Sequence, residues 1–180
     1  MAQNSVRLAL SAMAVALATV VMFLTGALPL GTLALPALAG VFLIAVVMEC
    51  GAGWAWAAYL SVSALSLLIA ADREAVLFFI LLFGCYPILK AGLEAKFRKA
   101  VRIPLKFLFF NAASILEFLL AVKLLGAPPE SLTLFGHFVP WLFLAVGNVV
   151  FAVYDCALSL LAISYWKKIH PLVARWTRRP

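Results

Sequence analysis

A helix needs about 20 consecutive apolar residues to cross the hydrocarbon core of a bilayer. This chain carries six stretches of that kind, at 8–28, 33–50, 53–71, 75–93, 105–126 and 138–166. With 67% of its 180 residues hydrophobic and 12% charged, the chain cannot hide its apolar surface in a water-soluble core. Lipid admits only helices and closed barrels, because every backbone polar group must be satisfied within the protein. No stretch shows the in–out alternation of barrel strands. The expected fold class is therefore an all-α integral membrane protein, a bundle of about six transmembrane helices forming one domain over 1–180.

The residues between the stretches are helix breakers and charges. "GALPLG" (Gly26 to Gly31) separates the first two, "CGAG" (Cys50 to Gly53) makes a tight turn, and "ADRE" (Ala71 to Glu74) makes the next. "EAKFRKAVRIP" (Glu94 to Pro104) reads as a basic loop and "GAPPESLTLFGH" (Gly126 to His137) as a longer, nearly neutral one. The last stretch exceeds what a span needs, so it is either tilted or begins as a surface segment before Pro140. The N-terminus superficially resembles a signal peptide, but its apolar run is too long and leads into further spans, so a retained first helix is expected.

Charge sets the orientation. With the N-terminus inside, only Arg73 and Lys123 of the chain's 14 Lys and Arg fall on the outer side. Both termini are expected to be cytoplasmic, in a cell membrane of the bacterial cytoplasmic type. "WKKIHPLVARWTRRP" then becomes a basic tail, 167–180, with tryptophan anchors at the inner interface. The net charge of +7 does not point to nucleic acid, since the basic residues flank apolar spans as topology signals do. The lipid bilayer is the partner they imply.

Cys50, Cys85 and Cys156 form no CxxC pair and read as buried thiols, while His137 and His170 lack companions for a metal site. The chain has no phosphate-binding Gly-Lys-Ser/Thr loop, no HExxH and no G-x-S-x-G elbow. It is not expected to be an enzyme or to carry a cofactor, and energised transport would require another subunit to bind the nucleotide.

Ionisable groups at bilayer depth are costly and mark functional or clamping positions. Glu117 lies near the middle of the fifth stretch, with Ser114 one turn before it. Asn148, Asp155 and Ser159 share a face of the sixth. Helical rise puts Glu117 and Asn148 at similar depths and Asp155 nearer the cytoplasm, level with Lys90 and Lys106. On one reading Asp155 pairs with Lys106, Lys90 or a tyrosine hydroxyl and clamps helices together. On another, Glu117, Asn148 and Trp141 bind a small molecule in the outer half while Asp155 supports the inner end. A proton relay through Glu117 and Asp155 is the third, with their difference in depth against it.

Ala12 and Ala16 in the first stretch form a small-xxx-small pair, as do Ala14 and Ala18 beside Ser11. Such pairs let a second helix approach closely. That helix belongs either to this bundle or to a separate subunit. Pro29, Gly31, Pro36 and Gly40 are expected to bend the start of the second helix, and Pro87 to kink the fourth and free a carbonyl. Trp54, Trp56 and Tyr59 read as interfacial belt residues.

The six short-looped helices, "SAMAVALA" (Ser11 to Ala18) and "PLGTLALPALAGVFLIAVVMECGAGWAWAAYL" (Pro29 to Leu60) together resemble the S components of energy-coupling-factor vitamin transporters. The resemblance covers the whole chain in architecture. It implies a substrate-binding subunit of a micronutrient importer, with a vitamin-like ligand near the outer face. It also implies a membrane coupling subunit docked on Ala12 and Ala16, and an ATPase pair beyond it. A weaker resemblance, to the rod-shape protein MreD, implies a non-catalytic scaffold or assembly protein. A small proton-coupled carrier is the remaining alternative.

Overall fold

The structure is a computed structural model that describes residues 2–28, 31–125, 133–134, 137–138, 140–168 and 170–171. Among these residues seven α-helices follow in chain order: α1 (Ala2–Phe23), α2 (Gly31–Cys50), α3 (Ala52–Ile69), α4 (Arg73–Phe78), α5 (Tyr86–Lys96), α6 (Lys99–Leu125) and α7 (Pro140–Lys168). With α4 and α5 joined as one broken span, six helical units are long and apolar enough to cross a membrane. That is the mark of a multi-pass membrane protein. A two-residue hairpin, Thr133–Leu134 paired antiparallel with His137–Phe138, precedes α7. The basic tail beyond Pro171, and most of the loop between α6 and α7, lie outside the described residues.

Each turn has a local cause. Gly51 adopts φ 89°, a conformation that suits glycine, and so lets α3 start with a single residue between it and α2. Asp72 caps α4 by accepting from the Ala75 N–H at 3.0 Å, while its other oxygen accepts from the Thr32 hydroxyl at 2.8 Å. That second bond ties the start of α2 to the turn after α3.

Two expectations need correction. The segment Glu94 to Pro104 is not a loop: α5 runs to Lys96 and α6 starts at Lys99, so only Phe97 and Arg98 connect them. Lys, Arg, Ala and Leu are good helix formers, and charge alone does not interrupt a helix at a membrane surface. The proline and glycines of "GTLALPALAG" do not break the second helix: α2 runs through Pro36, which sits within its first two turns.

The fourth span does break, but ahead of Pro87. Phe79–Phe83 winds as a π-helix, and α5 restarts with Pro87 in its first turn, where proline is tolerated. Pro87 has no N–H to offer the Phe83 carbonyl. Gly40 of α2 packs against that carbonyl so closely that a Cβ at position 40 would overlap it.

The core has two parts. Small residues dominate the first: Ala14 and Ala18 of α1, Ala39 of α2, and Ala55 and Ala58 of α3, around Met22, Leu43 and Phe79. Aromatic residues dominate the second, where α5, α6 and α7 meet. The Phe110 and Phe151 rings stack with centroids 4.6 Å apart, and Tyr86 meets Phe151 edge-on at 4.9 Å. Leu68, Leu124, Val149 and Leu160 stand exposed on the outside, as suits helices solvated by acyl chains.

Candidate functional site

Three helices bring their charged residues to one point. On α5, Tyr86, Lys90 and Glu94 follow at four-residue spacing and share a face. On α7, Asp155 and Ser159 do the same. Lys106 comes from the first half of α6. The Lys106 ammonium donates to both Asp155 oxygens, at 3.0 and 2.9 Å, and to Glu94 Oε1 at 2.7 Å. Lys90 is paired with Asp155 Oδ1 and lies 3.1 Å from Glu94 Oε1. It also donates to Ser159 Oγ at 2.8 Å and to the Asp155 backbone carbonyl at 3.1 Å. The Tyr86 hydroxyl donates to Asp155 Oδ1 at 2.6 Å.

Two ammonium groups thus face two carboxylates, and the cluster is electrically balanced. Both lysines are buried, Asp155 is half-buried, and Glu94 lies at the exposed rim. Lys90 is six residues from the end of α5, about 9 Å along the axis at 1.5 Å per residue. The cluster therefore sits just inside the end of the bundle that carries the α5–α6 turn. Charges at such a depth persist only when paired and hydrogen-bonded.

Further in, five residues from Lys106 along α6 and seven from Asp155 along α7, Asn111 and Asn148 exchange amide hydrogen bonds at 3.0 and 2.9 Å. Each amide also donates to a carbonyl four residues back, Phe107 and Leu144 respectively. Asn148 is thus engaged by a neighbouring helix. Its level on α6 is that of Asn111, six residues and about 9 Å from Glu117, rather than that of Glu117 itself. Glu117 is 8% exposed and makes no hydrogen bond or ion pair among the described residues. Trp141 lies near Glu117 in level, yet the residue is 81% exposed on the outside of α7. The three residues expected to share a ligand are therefore unequal: one is engaged, one faces outward, and one is buried without a partner.

Glu94 and Asn111 complete these networks and were not singled out in the sequence. The four-residue spacing of Lys90 and Glu94 was the available signal for the first. For the second it was an amide on the helix that precedes the Asn148 helix. On α1, Ala12 and Ala16 are exposed, whereas Ser11, Ala14 and Ala18 are buried. The two small-residue pairs thus face opposite ways. At the far end of α7, His170 Nδ1 meets Glu49 Oε1 of α2 at 2.9 Å, and the Trp166 ring stacks on the imidazole at 4.0 Å.

Two adjoining clefts open at this same end, one between α2, α5 and α7 and the other between α2 and α7. One, of about 80 Å³, is walled by Ile44, Val47, Pro87 and Leu158, with Lys90 and Glu94 at its base. The other, of about 280 Å³, lies between Ile163, Trp166 and Lys167, and Met48 and Ala162 line both. Neither touches Glu117, Asn148 or Trp141.

Fold and site define a multi-pass helical membrane bundle with a balanced buried charge cluster. Compared with protein-family models, curated proteins and solved structures, the chain matches none.

Proposed function

We propose that the protein is the substrate-binding subunit of an importer for a small, vitamin-like molecule, and that it works docked on a separate energising module. The observation that carries this reading is Glu117, a largely buried residue whose carboxyl keeps some accessible surface and makes no hydrogen bond or ion pair among the described residues. A carboxyl at bilayer depth is costly to keep, so its missing partner is the natural place for a ligand's hydrogen-bond donor or positive charge. With both termini cytoplasmic, Glu117 lies in the outer half of a bacterial cytoplasmic membrane. The exposed Ala12 and Ala16 on α1 give a transmembrane coupling subunit, with its ATPase pair, a smooth face to approach.

The test is gentle affinity purification from native membranes, followed by mass spectrometry of retained proteins and metabolites, on the wild type and Glu117→Gln. The expected result is a larger membrane subunit with two ATPases, and a metabolite lost from the variant. A chain recovered alone and empty, with uptake of candidate micronutrients unaffected by the variant, would overturn the reading.

A second reading, a non-catalytic scaffold or assembly protein, is favoured by a different observation. The Lys90–Asp155–Lys106–Glu94 cluster and the Asn111–Asn148 pair fasten α5, α6 and α7 into one unit. Co-purification of cell-wall or division proteins would select it. Uptake that collapses with the proton gradient and survives ATP depletion would select a proton-coupled carrier instead.

A further inference from the structure

We infer that the groove between α2 and α7 is a binding site for an anionic phospholipid, with one acyl chain in the groove and the headgroup at Lys167. The two clefts share Met48 and Ala162 and so adjoin as one open surface groove, about 80 Å³ in its inner part and 280 Å³ in its outer part. Its walls are aliphatic, and Trp166 and Lys167 stand at its outer end. The His170–Glu49 bridge ties α7 to the end of α2 beside it, so the two helices are held together at that end without their side chains closing the space.

The occupant follows from the chemistry of the walls. The apolar outer part offers water no hydrogen-bond partners along its sides, so water would fill it poorly. An acyl chain from the surrounding bilayer meets the same walls favourably. At the inner end, Lys90 is already consumed by Asp155, Glu94 and Ser159, which leaves no free charge to recruit a polar ligand there. Lys167 is different: it lines the mouth, is exposed, and has Lys168 beside it. An ammonium at an apolar groove mouth, flanked by an interfacial tryptophan, complements a phosphate headgroup of net negative charge. The inference rests on the membrane-spanning character of α2 and α7 and not on the importer reading.

The experiment uses the full chain reconstituted in vesicles of equal phosphatidylglycerol and phosphatidylethanolamine, released into mild detergent and weighed by native mass spectrometry. The wild type should retain one phospholipid, with phosphatidylglycerol preferred about five-fold, the effect of one lysine near an anionic surface. Ala162→Phe, which fills the groove where its two parts join, should lose the retained lipid while keeping its helical circular dichroism. Lys167→Gln should retain a lipid but lose the preference. Equal retention of both lipids by the wild type, or an Ala162→Phe variant that is folded and still loaded, would overturn the site. An unchanged preference in Lys167→Gln would overturn the headgroup assignment. Should Ala162→Phe fail to fold, Met48→Phe from the opposite wall makes the same test.

Discussion

Asp155→Asn is the most informative single change. It leaves the shape of the cluster intact and removes one of its two negative charges. Lys90 and Lys106, both buried, would then share Glu94 alone, at 3.1 and 2.7 Å, and the cluster would carry an uncompensated positive charge. Breaking a buried ion pair by removing one partner costs about 3–5 kcal/mol. Asp155 keeps 24% of its side chain exposed, and the lysine stems can reach toward the headgroups, so the lower end applies, about 3 kcal/mol. Reversible unfolding in mixed micelles of mild detergent and dodecyl sulfate would measure it. The decisive variant is the double change with Lys106→Met, which restores the balance of one ammonium with one carboxylate. It should regain at least half of the loss, and the coupling between the two sites should exceed about 1 kcal/mol. If the two changes simply add, the residues do not act as a cluster and the electrostatic argument fails.

Four further outcomes follow from the packing. Gly40→Ala should destabilise by about 1–3 kcal/mol, because its methyl would overlap the Phe83 carbonyl. Gly53→Ala and Gly92→Ala, where a Cβ meets nothing within 4 Å, should not destabilise in the same unfolding assay. Asn148→Ala should cost about 0.6–1.7 kcal/mol, the range for interhelical hydrogen bonds in membranes, and exchange of Asn111 and Asn148 together for leucines should cost less than the single change. Glu117→Gln should leave unfolding unchanged while abolishing metabolite retention; a loss of stability equal to that of Asp155→Asn would make Glu117 structural. Cys156, unlike the buried Cys50 and Cys85, is exposed on α7, against the expectation of a buried thiol; it should resist a water-soluble maleimide in sealed or opened vesicles, and its modification would place that face in water.

The helices were the most legible part of the chain. Long apolar runs are a coarse signal, and the six spans begin and end within a few residues of most apolar boundaries. The exception was the start of α6, where Lys99 and Arg102 suggested a loop although the helix had already begun. Hydropathy reports the lipid, not the backbone. The cationic neighbours of Asp155 were legible too, since depth along a helix follows from counting residues. What counting cannot supply is the rotation and stagger of one helix against another. Counting residues along the apolar runs puts Asn148 level with Glu117, but the α6–α7 stagger pairs it with Asn111. The split of α1 into a buried Ala14–Ala18 face and an exposed Ala12–Ala16 face has the same origin. Alanine carries too little hydrophobic contrast to say which side looks inward.

The balanced charge cluster also limits how the bundle can change shape. Sliding α7 past α5 by one turn, about 5.4 Å, would pull Asp155 away from Lys90 and Lys106, leaving its carboxylate unpaired and the two ammonium groups with Glu94 alone. Any working motion that keeps those charges matched must carry α5, α6 and α7 as one rigid block. The give then has to come from the π-helical break at Phe79–Phe83, where α4 meets that block, and from the face of α2 that borders the cleft against α5 and α7. Rocking of one half against the other fits this wiring, and shear between neighbouring helices does not.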